Sequence, residues 1–386
     1  MKYCIIAVGY NRPDSLKRLV SSLLSAEYGS YSVDLIISID KSTNQDDVVN
    51  SILGIEWVHG GIKIVKQTNR LGLRKHIISC GDYTERYDAI IMFEDDIVVS
   101  PYFFNYVTAT VSKYGNDSRI AGISLYKHET HPGVYRPFYP DNNGYDVFFM
   151  QFAQSWGQCW TKEMWRNFKV WYSHNENADL GRDDLLPSYI SSWNAQSWLK
   201  YYMRYIVETN RYFVYPYVSL STNASDEGEH NVNSNNDFQV GLLSGSIEYR
   251  LPSFNEAIKY DVYFERQEIE DCVFSDLNGT KLMDLYGQRK AFLDADYLIS
   301  TQSLPFRVVY SIQIKYRPHE VNCFIPEKGS DAFVYDLKKT GDKPIIKQQR
   351  QIRYDVRAIS WKRLIKLGTS EFLSILRSKI RRKRKK

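Results

Sequence analysis

The triplet Glu94-Asp95-Asp96 follows the apolar run Ala89-Ile90-Ile91-Met92-Phe93 and precedes Ile97-Val98-Val99-Ser100-Pro101. Adjacent carboxylates repel one another, so a fold keeps them where water or a cation offsets their charge. Their oxygens suit Mg2+ or Mn2+, and a metal held by one or two carboxylates keeps positions open for phosphate oxygens. The alternative is a solvated turn at a strand end. Two other apolar runs end in polar groups in the same way: Asn11 and Arg12 follow residues 3–8, and Asp40 follows residues 33–39.

Residues 3–8 predict a buried parallel strand ending at Gly9. An early Pro13, then Leu16, Leu19, Val20, Leu23 and Leu24 at helical spacing, predict a helix. Residues 33–39 and 62–65 predict further strands, 71–83 a helix and 89–93 a fourth strand. Strands alternating with helices imply an α/β fold, a Rossmann-like and mostly parallel sheet with helices on both faces. Ligands of such sheets bind beyond the carboxyl ends of the strands, where the polar groups lie. Residues 115–230 are looser and aromatic, with a helix expected over 195–207, and the Asn-rich stretch 221–237 reads as a loop. The expected organisation is a nucleotide-sugar-binding catalytic domain over 1–240, a smaller module over 241–356 and a basic tail over 357–386.

The frame Ile-Ile-Met-Phe-Glu94-Asp95-Asp96-Ile-Val-Val-Ser-Pro resembles the metal-binding motif of GT-A fold glycosyltransferases. It is most like the N-acetylglucosaminyltransferase I type and bacterial transferases of surface polysaccharides. Ala7-Val8-Gly9-Tyr10-Asn11-Arg12-Pro13 is similar to the first-strand motif that lies against the nucleotide base, and Asp40 matches the second-strand acid. Asn69-Arg70-Leu71-Gly72-Leu73-Arg74 resembles the segment bordering the nucleotide. Ser155-Trp156-Gly157, with Trp160 and Trp165, is similar to the Trp-Gly motif flanking donor sugar and acceptor. Tyr215-Pro216 through Gly228-Glu229-His230 is similar to the closing motif of the bacterial members. The resemblance covers roughly residues 1–235, with six matches in the correct order.

It implies transfer of a sugar from a nucleoside diphosphate, a UDP-sugar above all, to a hydroxyl of a glycan or lipid-linked acceptor, with inversion and Mn2+ or Mg2+ as cofactor. Asp96 and His230 are the implied metal ligands. Tyr10, Asn11, Arg12, Asp40, Asn69, Arg74, Glu94 and Asp95 border the nucleotide sugar, and Trp156 and Gly157 the donor-sugar and acceptor pocket. An inverting transfer needs a general base. Relatives carry an acid beside a tryptophan, whereas this chain has Trp193-Asn194, and an amide is no base. Asp183, Asp184, Asp226 and Glu229 are the remaining candidates.

The 386 residues are 43% apolar and 25% charged, enough for a sizeable core. No run of eighteen apolar residues occurs, so no transmembrane helix is expected, and the start lacks the marks of a signal peptide. The five cysteines form no C-x-x-C pair, which fits a reducing cytoplasm and neither a disulfide framework nor a zinc site. The net charge of +5 is uneven: residues 357–386 hold twelve bases against Glu371, and the rest carries 38 bases and 44 acids. In the tail, Trp361, Leu364, Ile365, Phe372, Ile375, Leu376 and Ile380 form a helical stripe, interrupted near Gly368 and bordered by bases. Such a helix suits an anionic membrane surface and a peripheral place on the inner face of the cell membrane; docking on the body and nucleic-acid binding are the alternatives, the last not expected. A sugar nucleotidyltransferase is the rival enzyme, disfavoured because Gly9-Tyr10-Asn11-Arg12-Pro13 is no Gly-rich phosphate loop. The other rival is a non-enzymatic, basic-tailed nucleic-acid-binding protein.

Overall fold

The computed structural model describes residues 1–180, 185–226, 238–269, 274, 276–292, 295–346, 348–356 and 360–384. The first half runs β1 (Tyr3–Gly9), α1 (Pro13–Leu24), β2 (Val33–Ile39), α2 (Gln45–Asn50), β3 (Ile62–Lys66), α3 (Leu73–Gly81), β4 (Ala89–Glu94), β5 (Ile97–Val99), α4 (Phe103–Tyr114) and β6 (Ile120–Ser124). A short hairpin, β7 (Thr130–His131) and β8 (Arg136–Pro137), precedes β9 (Val147–Met150), β10 (Gln158–Thr161), α5 (Lys162–Asn175), α6 (Ser188–Ser191) and α7 (Trp198–Glu208). Then come β11 (Tyr212–Pro216), β12 (Ser221–Asn223), β13 (Lys259–Tyr260), β14 (Lys281–Asp284), β15 (Tyr297–Ser300) and β16 (Phe306–Gln313). The chain closes with α8 (Val321–Phe324), β17 (Glu327–Lys328), β18 (Ala332–Thr340), α9 (Gln348–Asp355) and α10 (Trp361–Arg384).

The fold is mixed α/β, built on a nine-stranded sheet in the order β13-β9-β11-β6-β10-β4-β1-β2-β3. β1, β2, β3 and β4 are mutually parallel, β6 and β11 run the same way, and β9, β10 and β13 run against them. Every residue of β1 is buried, as its unbroken apolar run requires of a central parallel strand. In α1, Leu16, Leu19, Val20 and Leu23 face the core as spaced, whereas Leu24 stands at the surface. The chain moves outward from β1 through β2 to β3, then returns to the opposite side of β1 as β4. This reversal makes the carboxyl ends of β1 and β4 a topological switch point, the place where such sheets open a crevice.

The second sheet has the order β14-β15-β18-β16-β17 and its own apolar cluster around Met283, Ile299, Ile312 and Val334. The outermost strand of the large sheet, β13, comes from beyond residue 240, and the first core continues through Phe264 and Tyr286. Within the stretch read as a loop, residues 221–223 are strand β12, paired antiparallel with β5. In the tail, α10 runs through Gly368 without a break and exposes Trp361 (67%), Ile365 and Phe372 (61%). Among the described residues, no helix is long and apolar enough to cross a membrane.

Candidate active site

Strand direction gathers the polar groups. Arg12 follows β1, Asp40 follows β2, and Asp95-Asp96 follow β4, all at one edge of the sheet. Because β10 runs the other way, its entry, Trp156-Gly157, lies at that edge too. The two carboxylates are buried and share one guanidinium: Arg12 Nη2 donates to Asp95 Oδ1, and Nη1 donates to Asp96 Oδ2 at 3.2 Å. The Tyr10 backbone N–H also donates to Asp95. Burial pushes Asp95 up to about 6 against the pull of Arg12. Burial opposes the charge on Arg12 in turn, but Asp95 and Asp96 more than offset this and hold the guanidinium firmly protonated.

The remaining oxygen of the pair stands out. Asp96 is 8% exposed, and its Oδ1 is buried with no hydrogen-bond partner. A buried acceptor left unmade costs about 1–3 kcal/mol, more for a charged group, so this oxygen has room for a water or a ligand as its partner. Among the described residues, no three acid, histidine or cysteine side chains converge into a ready-made metal cage. A single unpartnered carboxylate oxygen at the strand ends does fit a divalent cation that takes its other ligands from substrate phosphate and water. Asp96 is the residue that would hold it; His230, the other expected ligand, lies outside the described residues, as do Asp183, Asp184 and Glu229.

Glu94 is half-buried and differs from its neighbours. Burial first, then Asp96 and Asp95, raise its carboxyl to about 8, and Trp198 on α7 donates to it. A carboxyl held neutral near pH 7 is a hydrogen-bonding group rather than a charge. Asp40 spends both oxygens on backbone: Oδ1 accepts from Lys41 N at 2.8 Å and Leu71 N at 2.9 Å, and Oδ2 accepts from Gly72 N at 2.9 Å. It thereby fixes the loop that enters α3, where Gly72 sits at φ 75°. Arg70 of this loop lies over the Tyr10 ring at 4.9 Å, whereas Arg74 turns toward α5 and α7, donating to Glu176 O and covering Tyr201. Asn11 and Asn69 are exposed.

Gly157 has φ 101°, and a Cβ there would come within 2.7 Å of Ser221 Oγ and 3.0 Å of Phe93. Only glycine lets the Trp156 turn close onto β4 and β12 in this way. Trp156 meets Tyr126 edge-on and His128 and Phe238 at a tilt, while Trp160 and Trp165 are core residues packed on each other at 5.0 Å. The pairing of β12 with β5 brings Ala224 N to Asp96 O at 2.8 Å. Beyond it, Asp226 accepts from Ser15 Oγ at 2.6 Å and from Arg18. This candidate base is therefore clasped to α1; burial pushes its carboxyl up, and the bonds from Arg18 and Ser15 bring it below the usual value. Asn194 accepts from Gln196 N at 2.8 Å in the turn before α7. The Trp198 contact, the Ser221 contact and the Asp226 clasp leave no sign in the sequence, because all of them depend on tertiary pairing.

A second acid–arginine cluster lies between the two sheets. Asp284 accepts four bonds, from Gln288 N, Arg289 N, Ser300 Oγ and Gln302 Nε2, at 2.7–3.0 Å. Asp261 accepts from Tyr263 N and Glu265 N and pairs with Arg289. Arg289 donates also to Met283 O at 2.8 Å and lies over the Tyr263 ring.

No family model and no curated protein matches this chain. Among solved structures, S. aureus TarS 1-349 in complex with UDP-GlcNAc is similar over 61% of this chain and 62% of that chain, with 13% identity and a TM-score of 0.36. Mannosyltransferase PcManGT from Pyrobaculum calidifontis, in complex with GDP-Man and Mn2+, is similar over 42% of this chain and 45% of that chain, with 9% identity and a TM-score of 0.30. The chain spans less than two thirds of each, and similarities of this size place no ligand on it.

Proposed function

We propose that this chain is a metal-dependent glycosyltransferase, moving a sugar from a nucleoside-diphosphate donor, UDP-linked by first choice, to a hydroxyl of a glycan or lipid-linked acceptor in surface-polysaccharide synthesis. The observation that carries this reading is the buried, unpartnered Asp96 Oδ1 beside Asp95 at the switch point between β1 and β4. Mn2+ or Mg2+ bound by Asp96, with His230 as second ligand, would stabilise the negative charge that gathers on the leaving diphosphate. Tyr10, Asn11 and Arg12 border the nucleotide, together with the loop that Asp40 holds. Trp156 offers an aromatic face to a sugar at the same edge. Inversion needs a base to take the acceptor proton, and Asp183, Asp184 and Glu229 are its proposed sources.

The exposed apolar residues of α10, bordered by basic positions in the sequence, suit an anionic lipid surface, where each base contributes about 1 kcal/mol before screening. That would hold the enzyme beside a lipid-linked acceptor at the inner face of the cell membrane. The test is a thermal-shift screen of nucleoside diphosphates and their sugars with Mn2+. A true ligand at a hundredfold excess over its Kd adds about 2.7 kcal/mol of stability; no response to any member overturns the reading. Liposome sedimentation with and without residues 357–386 tests the tail separately.

A further inference from the structure

The acidic pair carries its own cation. One guanidinium forks across Asp95 and Asp96, one terminal nitrogen to each acid. Asp96 Oδ2 and Asp95 Oδ1 are thus taken, and Asp96 Oδ1, on a residue 8% exposed, is left buried without a partner. A divalent ion that approached Oδ1 with the fork intact would meet a fixed positive charge on the same carboxylate. Yet Arg12 is not locked in place. It precedes α1 rather than lying within it, its side chain is 21% exposed, and among the described residues its side-chain bonds go to these two carboxylates alone. Arg289 in the other cluster is held by a carbonyl and a ring as well as by its acid.

We infer that Arg12 is a displaceable counter-ion: the guanidinium and a divalent cation compete for the Asp95-Asp96 pair, and Arg12 releases Asp96 when the cation binds. The inference rests on the reading that Asp96 takes a metal. It has a consequence for order. The metal-free chain keeps its buried acids partly neutralised by one guanidinium, so its affinity for metal alone is reduced. A diphosphate at the same strand ends gives the freed guanidinium a new anionic partner, so diphosphate and metal favour each other's binding.

The test is titration of the full chain with Mn2+ alone, following free Mn2+ by electron paramagnetic resonance. Arg12→Met is expected to bind Mn2+ roughly tenfold tighter than wild type, and Arg12→Lys to fall between, since an ammonium keeps the charge without the preorganised planar fork. In EDTA, Arg12→Met should melt below wild type, and added Mn2+ should raise its melting temperature by more. An Arg12→Met protein that melts cooperatively and binds Mn2+ no tighter than wild type overturns the inference. Should Arg12→Met fail to fold, Arg12→Lys decides by the same criterion. Asp96→Ala separates the two levels. If it leaves Mn2+ binding unchanged in the wild-type and Arg12→Met backgrounds, the metal reading itself falls. If it abolishes binding while Arg12→Met shows no gain, that reading stands and the counter-ion inference alone falls.

Discussion

Two buried acid–arginine clusters among the described residues are finished differently. Between the sheets, Asp284 accepts four bonds and Asp261 three, so both carboxylates spend their oxygens on the protein itself. At the switch point, Asp95 and Asp96 share one guanidinium, and one oxygen is left over. A buried network that is fully satisfied rigidifies a fold, whereas a half-satisfied one persists where something else completes it. On the proposed reading, the two clusters separate structural acids from acids that take a ligand.

The sharpest way to break that distinction is Asp96→Ala. The expected outcome is a loss of metal-dependent donor turnover of roughly a hundredfold or more with the melting temperature little changed. Retained activity with unaltered metal dependence removes Asp96 from the site. The converse is Asp284→Ala, which strands four donors and is expected to cost about 3 kcal/mol or more in urea unfolding, while the folded fraction keeps its turnover per molecule. A large kinetic defect in that variant would merge the two clusters into one function.

Glu320 tests whether a leftover oxygen alone marks a site. Its Oε2 also lacks a partner, but burial raises its carboxyl to about 7, so it answers desolvation by keeping a proton. With the folded value above the unfolded one, its stabilising contribution is complete below about 4.5 and is lost as pH rises through about 7. Glu320→Gln cannot ionise, so it should gain on wild type between pH 5 and pH 8 by something on the order of 2–3 kcal/mol; parallel stability curves would refute this. The smallest effect is at Asp40, whose carboxylate acts through the loop it holds. Asp40→Ala should weaken nucleoside-diphosphate binding about tenfold by calorimetry, since a loosened loop must be reordered on binding. Unchanged affinity would remove Asp40 from the site.

The strand-end logic was legible in the sequence because unbroken apolar runs, each closed by a polar residue, leave little choice of element or direction. The runs before Arg12, Asp40 and Glu94 became β1, β2 and β4 in parallel pairing. What the sequence could not show was how the polar residues spend their atoms. Asp40 read as a nucleotide contact and is bonded to Leu71 and Gly72, and Arg74, read beside it, turns to Tyr201. Strand β12 was hidden in a polar stretch because Ser221-Thr222-Asn223 has no apolar alternation, and its pairing is set by β5 far away in the chain. Gly368 suggested an interruption in a helix that runs past it, since one glycine costs only about 1 kcal/mol.

The β5–β12 ribbon has a consequence for how the molecule comes into being. Val99 pairs with Ser221, and the acids sit at the base of that pairing. Contacts between such distant residues must wait for the intervening chain to be made and closed into a loop, an entropic cost that local contacts avoid. During synthesis, β1 to β4 can assemble with Asp95 and Asp96 already at their end, while the backbone that meets Asp96 O is still unmade. The crevice is thus completed late, and a chain interrupted before β12 would carry the acids without the backbone that closes over them.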